Sequence, residues 1–364
     1  MERGCITYSI AYLSGIYVAG AFHFHYLPIL LTILLLIPIC FIFRKEAMLF
    51  TAFSHLALFS AGVGNLVLAN TKGEYNNNNP VICSLSTKAA SIQDNASTYL
   101  KNFASSPNNH SILCALTVGK KNDIGKDLRQ AYSNAGALHI LALSGLHVGI
   151  MYSIVQTILY PLKLLPAAKF ITDGISILFI LLYMVISGCS PSVMRAGTMI
   201  IIYKIGKISY RDIGKWDAIA ISALILGMTA PLQVTGIGFQ LSYAAVIGIS
   251  LLYPTCHTSF TMICRQPSGL WKYPHFVMLK LWDSISISVC CQIATLPVLL
   301  FHFGENAQYF IITNLIAIPL ATAILYAFVL AFLLQWIPFA DTPAVDLLNL
   351  LINIMNNCII YISS

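Results

Sequence analysis

Two short polar strings interrupt runs of otherwise apolar sequence: His139-Ile-Leu-Ala-Leu-Ser144-Gly145-Leu146-His147-Val148 and Ser187-Gly188-Cys189-Ser190-Pro191-Ser192-Val193-Met194-Arg195. A charged side chain near the centre of a membrane helix costs about 3 kcal/mol on insertion scales, so such residues usually face protein or water. They therefore mark a site or a conduit. On a helix, Ser144 and His147 would share a face, and Gly145 with Gly149 would make a small-xxx-small pair that lets another helix approach. Three readings are open. Ser144 and His147 could make a tight helix contact, with the hydroxyl bonded to its own backbone. They could join His139 on the wall of a hydrophilic path. They could be a Ser–His nucleophile pair, which needs a base in reach and a group to orient it. No acid lies nearby in sequence and no nucleophile-elbow pattern surrounds Ser144, which weighs against the third.

In the second string, Gly188 and Pro191 predict a turn, with Ser190 or Ser192 capping the helix that follows. Arg195 falls about one turn into that helix. Free N–H groups and a fixed positive charge pointing the same way make an anion site. Snorkelling of Arg195 to the outer interface competes with that reading. A third string, Gly236-Ile237-Gly238-Phe239-Gln240-Leu241-Ser242-Tyr243, puts Gln240 and Tyr243 on one face. Both could line a pore, or serve as a helix–helix hydrogen bond and an interfacial belt residue.

Elements that could position these groups are legible in the composition. Hydrophobic residues make up 58% of the 364 residues, charged residues 9%, and the mean hydropathy is +0.79. A soluble domain carries about 25% charged residues. The chain is therefore expected to be an all-α polytopic membrane protein, a bundle of about 10–12 transmembrane helices with some broken or re-entrant. Apolar runs cover 6–22, 27–43, 47–69, 138–160, 170–187, 191–204, 217–232, 237–253, 282–301, 309–334 and 344–362. Pro191 opens one run, Pro297 sits inside another, and Pro319 divides 309–334.

With the N-terminus inside, the inner loops hold Arg44 and Lys45; Lys163 and Lys169; Lys204, Lys207, Arg211 and Lys215; and Arg265, Lys272 and Lys280. The short outer connections 23–26, 233–236 and 302–308 hold none, as the positive-inside rule requires. The net charge of +7 is largely such a topology signal. The long loop 70–137 has two amphipathic stretches, Ile92, Ala96, Tyr99, Leu100 and Phe103, then Ile124, Leu128, Ala131 and Tyr132. Both predict helices lying on the membrane or capping the bundle. Asn76 to Asn79 with Pro80 predict a flexible turn.

The ten cysteines lack metal-ligand spacing, and most, such as Cys40, Cys290, Cys291 and Cys358, fall in apolar runs as small buried hydrophobes. Cys83 and Cys114 lie in the long loop, and a disulfide between them is expected if that loop is outside the cytoplasm. His23-Phe24-His25 is not followed by Asp-His, and His257, Cys264 and His275 are scattered in an inner loop. No metal site and no cofactor are expected. No Walker loop is present, and the first apolar run is expected to stay as a helix rather than be cleaved.

Taken together and in order, the strings resemble the competence membrane domain of the ComEC family of bacterial DNA-uptake proteins. The resemblance runs from about residue 112 to 335. It rests on Asn134 to Val148, Ser187 to Ala196, Pro231 to Ser242, Thr295 to Gly304 and Asn314 to Leu320. It implies a channel that passes single-stranded DNA across the bacterial cytoplasmic membrane during natural transformation. His139, Ser144, His147, Ser190, Ser192, Arg195, Gln240 and Ser242 would line the path. Implied partners, besides membrane lipid, are a DNA receptor outside, a helicase or separate nuclease inside, and further copies of the chain.

The aspartate that usually follows Gly119 in the family is Lys120 here. Segment 70–91 is too short for the OB-like domain of larger members, and no His-x-His-x-Asp-His string announces a metallo-β-lactamase-like domain. No nuclease or other enzymatic activity is implied. The expected organisation is N-terminal helices over 1–70, an extracytoplasmic loop over 71–111 and a channel domain over 112–364. Two alternatives remain: a transporter of another anionic or lipid-linked solute on the same fold, and an intramembrane hydrolase using Ser144 and His147.

Overall fold

A computed structural model describes residues 2–21, 47–71, 80–138, 140–163, 168–209, 214–263, 272–303, 310–337 and 341–363. The helices are α1 (Glu2–Ala21), α2 (Ala47–Thr71), α3 (Pro80–Leu100), α4 (Pro107–Thr117), α5 (Lys126–Asn134), α6 (Gly145–Ile158), α7 (Ala168–Ile186), α8 (Pro191–Ile208), α9 (Lys215–Thr229), α10 (Ile237–Ile263), α11 (Lys272–Phe303), α12 (Phe310–Leu334) and α13 (Asp341–Ser363). One-turn helices at Tyr160–Lys163 and Pro231–Val234 join longer ones. No strand occurs among the described residues. The chain is an all-α polytopic membrane protein. Among the described residues, four stretches, Ile237–Ser259, Ile285–His302, Ile316–Leu334 and Thr342–Ser363, are long and apolar enough to cross a bilayer. Shorter apolar helices run over Cys5–Ala19, Ser54–Val67, Gly145–Ile158 and Phe170–Ile186. The run 27–43, Asn76 to Asn79 and His139 lie outside the described residues.

Two compact units divide the chain: Met1–Ser91 with Val155–Val185 and Pro191–Gln240, and Ile92–Ile154 with Ile186–Ser190 and Leu241–Ser364. In the first unit, α1 crosses α2 at glycines. A Cβ on Gly15 would lie 2.0 Å from the Phe59 carbonyl oxygen, and one on Gly62 would lie 2.0 Å from that of Tyr12. Only glycine admits backbones this close, and dispersion then holds the pair where lipid offers no hydrophobic drive. Helix α9 packs on α1. Ser9 donates to the Ala220 carbonyl at 2.9 Å, and Asn65 of α2 donates to the Gly227 and Met228 carbonyls at the end of α9.

In the second unit, α13 packs on α12, α4 and α5. Leu113, Leu116, Tyr132, Ile324, Leu325, Leu348 and Ile352 are fully buried there. Helix α4 starts as its sequence demands: Ser106 accepts the Asn109 N–H at 3.1 Å and Pro107 occupies the first position. Asn349 of α13 accepts from Ser105 and Asn109 and donates to the Phe103 carbonyl. Asn356 accepts from the Tyr132 hydroxyl at 2.8 Å. Burial of that hydroxyl pushes its ionisation far above the usual tyrosine range. The two amphipathic stretches of the long loop thus turn Leu100, Phe103, Leu128 and Tyr132 into this core, while Ile92 and Tyr99 stay exposed.

Several expectations are corrected. The run 138–160 is not one helix, since α6 begins at Gly145. No atom of the described residues lies within 4 Å of a Cβ built on Gly149, so Gly149 marks no close helix contact among them. Pro319 does not divide 309–334 but sits inside continuous α12, as Pro297 sits inside α11; neighbouring helices let membrane helices tolerate the lost hydrogen bond. Cys114 is a free, fully buried thiol, placed 3.3 Å from Ser97 Oγ and 3.2 Å from His110 Nε2, while the Cys83 side chain lies outside the described residues. His257 belongs to α10 rather than a loop, and its Nδ1 lies 2.7 Å from Asp283 of α11.

Candidate functional site

Ser144 stands immediately before α6, in the N-cap position. Its carbonyl accepts the Val148 N–H at 3.4 Å. Three residues on, His147 Nδ1 takes the Ser144 backbone N–H at 3.2 Å and lies 2.8 Å from Ser144 Oγ. A backbone N–H only donates, so Nδ1 carries a lone pair, the hydroxyl donates to it, and the ring proton sits on Nε2. The arrangement is the returning half of a capping box, with the His147 ring in the place of the usual Glu or Gln and the Ser144 hydroxyl turned to that ring. His147 is 2% exposed. The pair is therefore a buried helix start with one reactive-looking hydroxyl, not two residues on a mid-helix face.

The turn Ser187–Ser190 belongs to the same unit as Ser144. Gly188 has φ +66° and Cys189 φ +52°. The left-handed region suits glycine and strains cysteine, and Cys189 is an exposed free thiol. Gln93 of α3 packs against Gly188 and donates to the Val118 carbonyl at 2.7 Å. Gly119, at φ +77°, sits against Leu143 and the Ser187 carbonyl. The Val118–Gly119 turn thus braces both polar strings. Beside it, Lys120 bridges Asp94 at 3.0 Å and Asp123 at 3.5 Å. The hydrogen bond to Asp94 holds its ammonium above the usual lysine range. Carboxylates are therefore present at this corner, but they come from positions 94 and 123.

Helix α8 opens at Pro191, as the turn chemistry predicts. The Ser190 Oγ is buried and caps nothing among the described residues. Arg195 is 4% exposed, so it does not snorkel. Its guanidinium donates to Ser192 Oγ at 3.1 Å, and a methyl on Gly238 would lie 3.7 Å from it. Gln240, two residues beyond Gly238, donates to the Thr235 carbonyl at 3.3 Å, while Tyr17 of α1 donates to the Val234 carbonyl at 3.0 Å. The structure thus gathers Ser192, Arg195 and the Gly236–Gln240 string in one unit. It gathers Ser144, His147 and the Ser187–Ser190 turn in the other. Ser242 is half-buried on α10, and Tyr243 is 7% exposed, so it is not an outward-facing belt residue.

The sequence reading missed a buried ion pair. Lys204 is not a loop charge; it lies within α8 and binds Asp173 of α7, each residue 6% exposed. Gln156 of α6 donates to Ser176 of α7, and Ser176 donates to the Thr172 carbonyl. The helix carrying Arg195 is therefore tied to α7 by charge near one end and by the turn at the other. Gly197 packs its backbone against Met184 and Ile180 between them.

The fold defines a multispanning membrane protein, with a buried arginine beside a hydroxyl in one unit and a buried imidazole beside a hydroxyl in the other. The profile of the family described as Competence protein matches residues 116–364, and the chain belongs to that family. It is 29% identical over 216 residues to ComE operon protein 3 of Bacillus subtilis (strain 168), which covers 59% of this chain and 25% of that protein. It is 23% identical over 227 residues to the uncharacterized protein YcaI of Escherichia coli (strain K12), covering 61% of this chain and 28% of that one. The matched segments span about a quarter of the length of each relative. No solved structure matches.

Proposed function

We propose that this chain, a competence-family protein with a role in DNA uptake, carries one strand of DNA across the bacterial cytoplasmic membrane during natural transformation. Arg195 carries the reading: a guanidinium 4% exposed on a membrane helix, bonded to Ser192 and beside Gly238. An arginine is retained at such cost where it meets an anion or a wet cavity. With the free N–H groups of the α8 N-terminus it offers a phosphate contact, and a single fixed charge binds a polyanion without trapping it. Membership of the competence family and likeness to a ComE operon protein support the choice of DNA over another anionic or lipid-linked solute.

In this reading His139, Ser144, His147, Ser190, Ser192, Gln240 and Ser242 line or support the path, and no cofactor or catalysis takes part. The N-terminus faces the cytoplasm, a receptor delivers DNA from outside, and a helicase or the membrane potential supplies the work. The test is natural transformation in a host whose sole copy of this gene carries Arg195→Gln or Arg195→Lys, with surface-bound DNA and membrane protein level measured in parallel. Uptake should fall while both controls hold. Undiminished uptake by Arg195→Gln overturns the proposal.

A further inference from the structure

Cys256 and Cys290 are 34 residues apart in sequence and sit on different apolar helices, α10 and α11, yet their sulfurs meet at 3.9 Å. Both belong to the second unit, and both are free thiols in this structure. The gap is the contact distance of two sulfurs, against a bond of about 2.05 Å in a disulfide.

Neighbouring contacts fix this meeting from both sides. Toward one end, a Cβ on Gly248 of α10 would run into the Ala294 Cβ and lie 3.2 Å from the Cys290 carbonyl oxygen, so the two backbones touch there. Toward the other end, the Trp282 indole N–H of α11 donates to the Cys256 carbonyl at 3.3 Å, and His257 Nδ1 lies 2.7 Å from an Asp283 oxygen. Residues 248 and 256–257 of α10 thus meet 290–294 and 282–283 of α11 in turn, the order of an antiparallel pair. Two reactants held in one geometry react as if at a concentration far above any reached in solution.

The two sulfurs differ in access. Cys256 is half-buried near the C-terminal end of the apolar stretch Ile237–Ser259, whereas Cys290 is 1% exposed. Cys291, the next residue, projects about 100° further round α11. An accessible thiol beside a buried one is the arrangement in which the first takes an oxidant and the second resolves it.

We propose that Cys256 and Cys290 are a modification site, a reversible disulfide that straps α10 to α11, with a small-molecule disulfide as the oxidant. The Cys256 sulfur gives up its proton and attacks one sulfur of the oxidant. That S–S bond breaks, a mixed disulfide forms on Cys256, and one small thiol leaves. The Cys290 sulfur then gives up its proton and attacks the Cys256 sulfur. The mixed disulfide breaks, the Cys256–Cys290 bond forms, and the second small thiol leaves. The two protons lost by the cysteines end on the two small thiols, and the two electrons reduce the oxidant. The strap needs neither DNA nor Arg195, so it stands or falls apart from the proposed uptake role.

The full chain in detergent, treated with oxidised glutathione, alkylated and digested, tests the site by mass spectrometry. The wild-type chain should give two peptides joined through Cys256 and Cys290, separated again by dithiothreitol. Cys290→Ser should stop at glutathione carried on Cys256, and Cys256→Ser should leave Cys290 unmodified. Cys291→Ser should form the bond as the wild type does. On heating, the oxidised wild type should unfold at a higher midpoint than the reduced protein, with no such shift in Cys290→Ser. Glutathione remaining on Cys256 in the wild type, or a bond made through Cys291 instead, overturns the proposal. So does a wild-type chain whose Cys256 and Cys290 stay reduced while its exposed Cys189 has reacted, since the oxidant was then active.

Discussion

His147 Nδ1 lies 2.8 Å from Ser144 Oγ and 3.2 Å from the Ser144 backbone nitrogen, so one ring nitrogen serves both as partner of the hydroxyl and as cap of α6. The two roles make opposite demands on substitution. An asparagine oxygen can sit near the place of Nδ1 and keep accepting the N–H, but it cannot take a proton from the hydroxyl. His147→Asn is expected to keep membrane level and uptake, and His147→Leu to lower both, with a cap loss of about 1 kcal/mol. Transformation frequency alongside immunoblots of membrane fractions checks this. Loss of function in His147→Asn and Ser144→Ala at normal protein level would revive the hydrolase reading.

The Asp173–Lys204 pair makes a second, differently shaped prediction. Removing one partner of a buried pair leaves an unpaired buried charge and costs about 3–5 kcal/mol, whereas replacing both by apolar groups of similar volume is often neutral. Lys204→Met and Asp173→Leu are each expected to lower the thermal unfolding midpoint in detergent, and the double variant to recover most of it. If the two losses simply add, the pair is not coupled. Recovery of stability with continued loss of transformation would show that the charges act beyond holding α7 to α8.

The sequence exposes the fold class because bilayer spanning demands long apolar runs, and it exposes the Gly188–Pro191 turn because each residue there has its own backbone preference. It exposes Arg195 because a charge in such a run is rare. Lys204 is misread for the same reason in reverse: a lysine near the end of a run looks like a loop charge, and its partner Asp173 lies 31 residues away. Ser144 is misread because Leu138 to Leu143 are apolar enough to pass for helix, so the N-cap is hidden inside a hydrophobic run. The burial of Cys114 is hidden in the sequence because it sits on an apolar helix within an otherwise polar loop. That burial pushes the thiol above the usual cysteine range. The α1–α2 crossing has no local signature, since Gly15 and Gly62 meet only in three dimensions.

Cys189 and Cys114 should differ sharply toward a membrane-impermeant maleimide. Cys189 is exposed in the α7–α8 turn and Cys114 is 0% exposed. In the proposed orientation, with the N-terminus inside, the turn would face the outside of the cell. A variant retaining only Cys189 is expected to label on intact cells, and one retaining only Cys114 to label only after denaturation. Labelling of Cys189 only after the membrane is opened would reverse the proposed orientation, and with it the side from which DNA is proposed to reach Arg195.

The glycines supply the sharpest contrast between what sequence spacing suggests and what packing requires. Gly145 and Gly149 have the spacing of a helix-contact pair, yet a methyl on Gly149 meets nothing within 4 Å, while one on Gly15 or Gly62 would lie 2.0 Å from a carbonyl oxygen. Gly149→Ala should therefore be tolerated, gaining up to about 1 kcal/mol of helix propensity. Gly15→Ala and Gly62→Ala should each force α1 and α2 apart, at the roughly 1–3 kcal/mol typical of overpacking. Because both glycines serve one crossing, the double variant should cost less than the sum. Separation of α1 from α2 also strains Asn65, which bonds both Tyr12 and the end of α9, so transformation should fall along with thermal stability. The opposite ranking, with Gly149→Ala damaging and Gly62→Ala neutral, would move the principal helix contact from α1–α2 to α6.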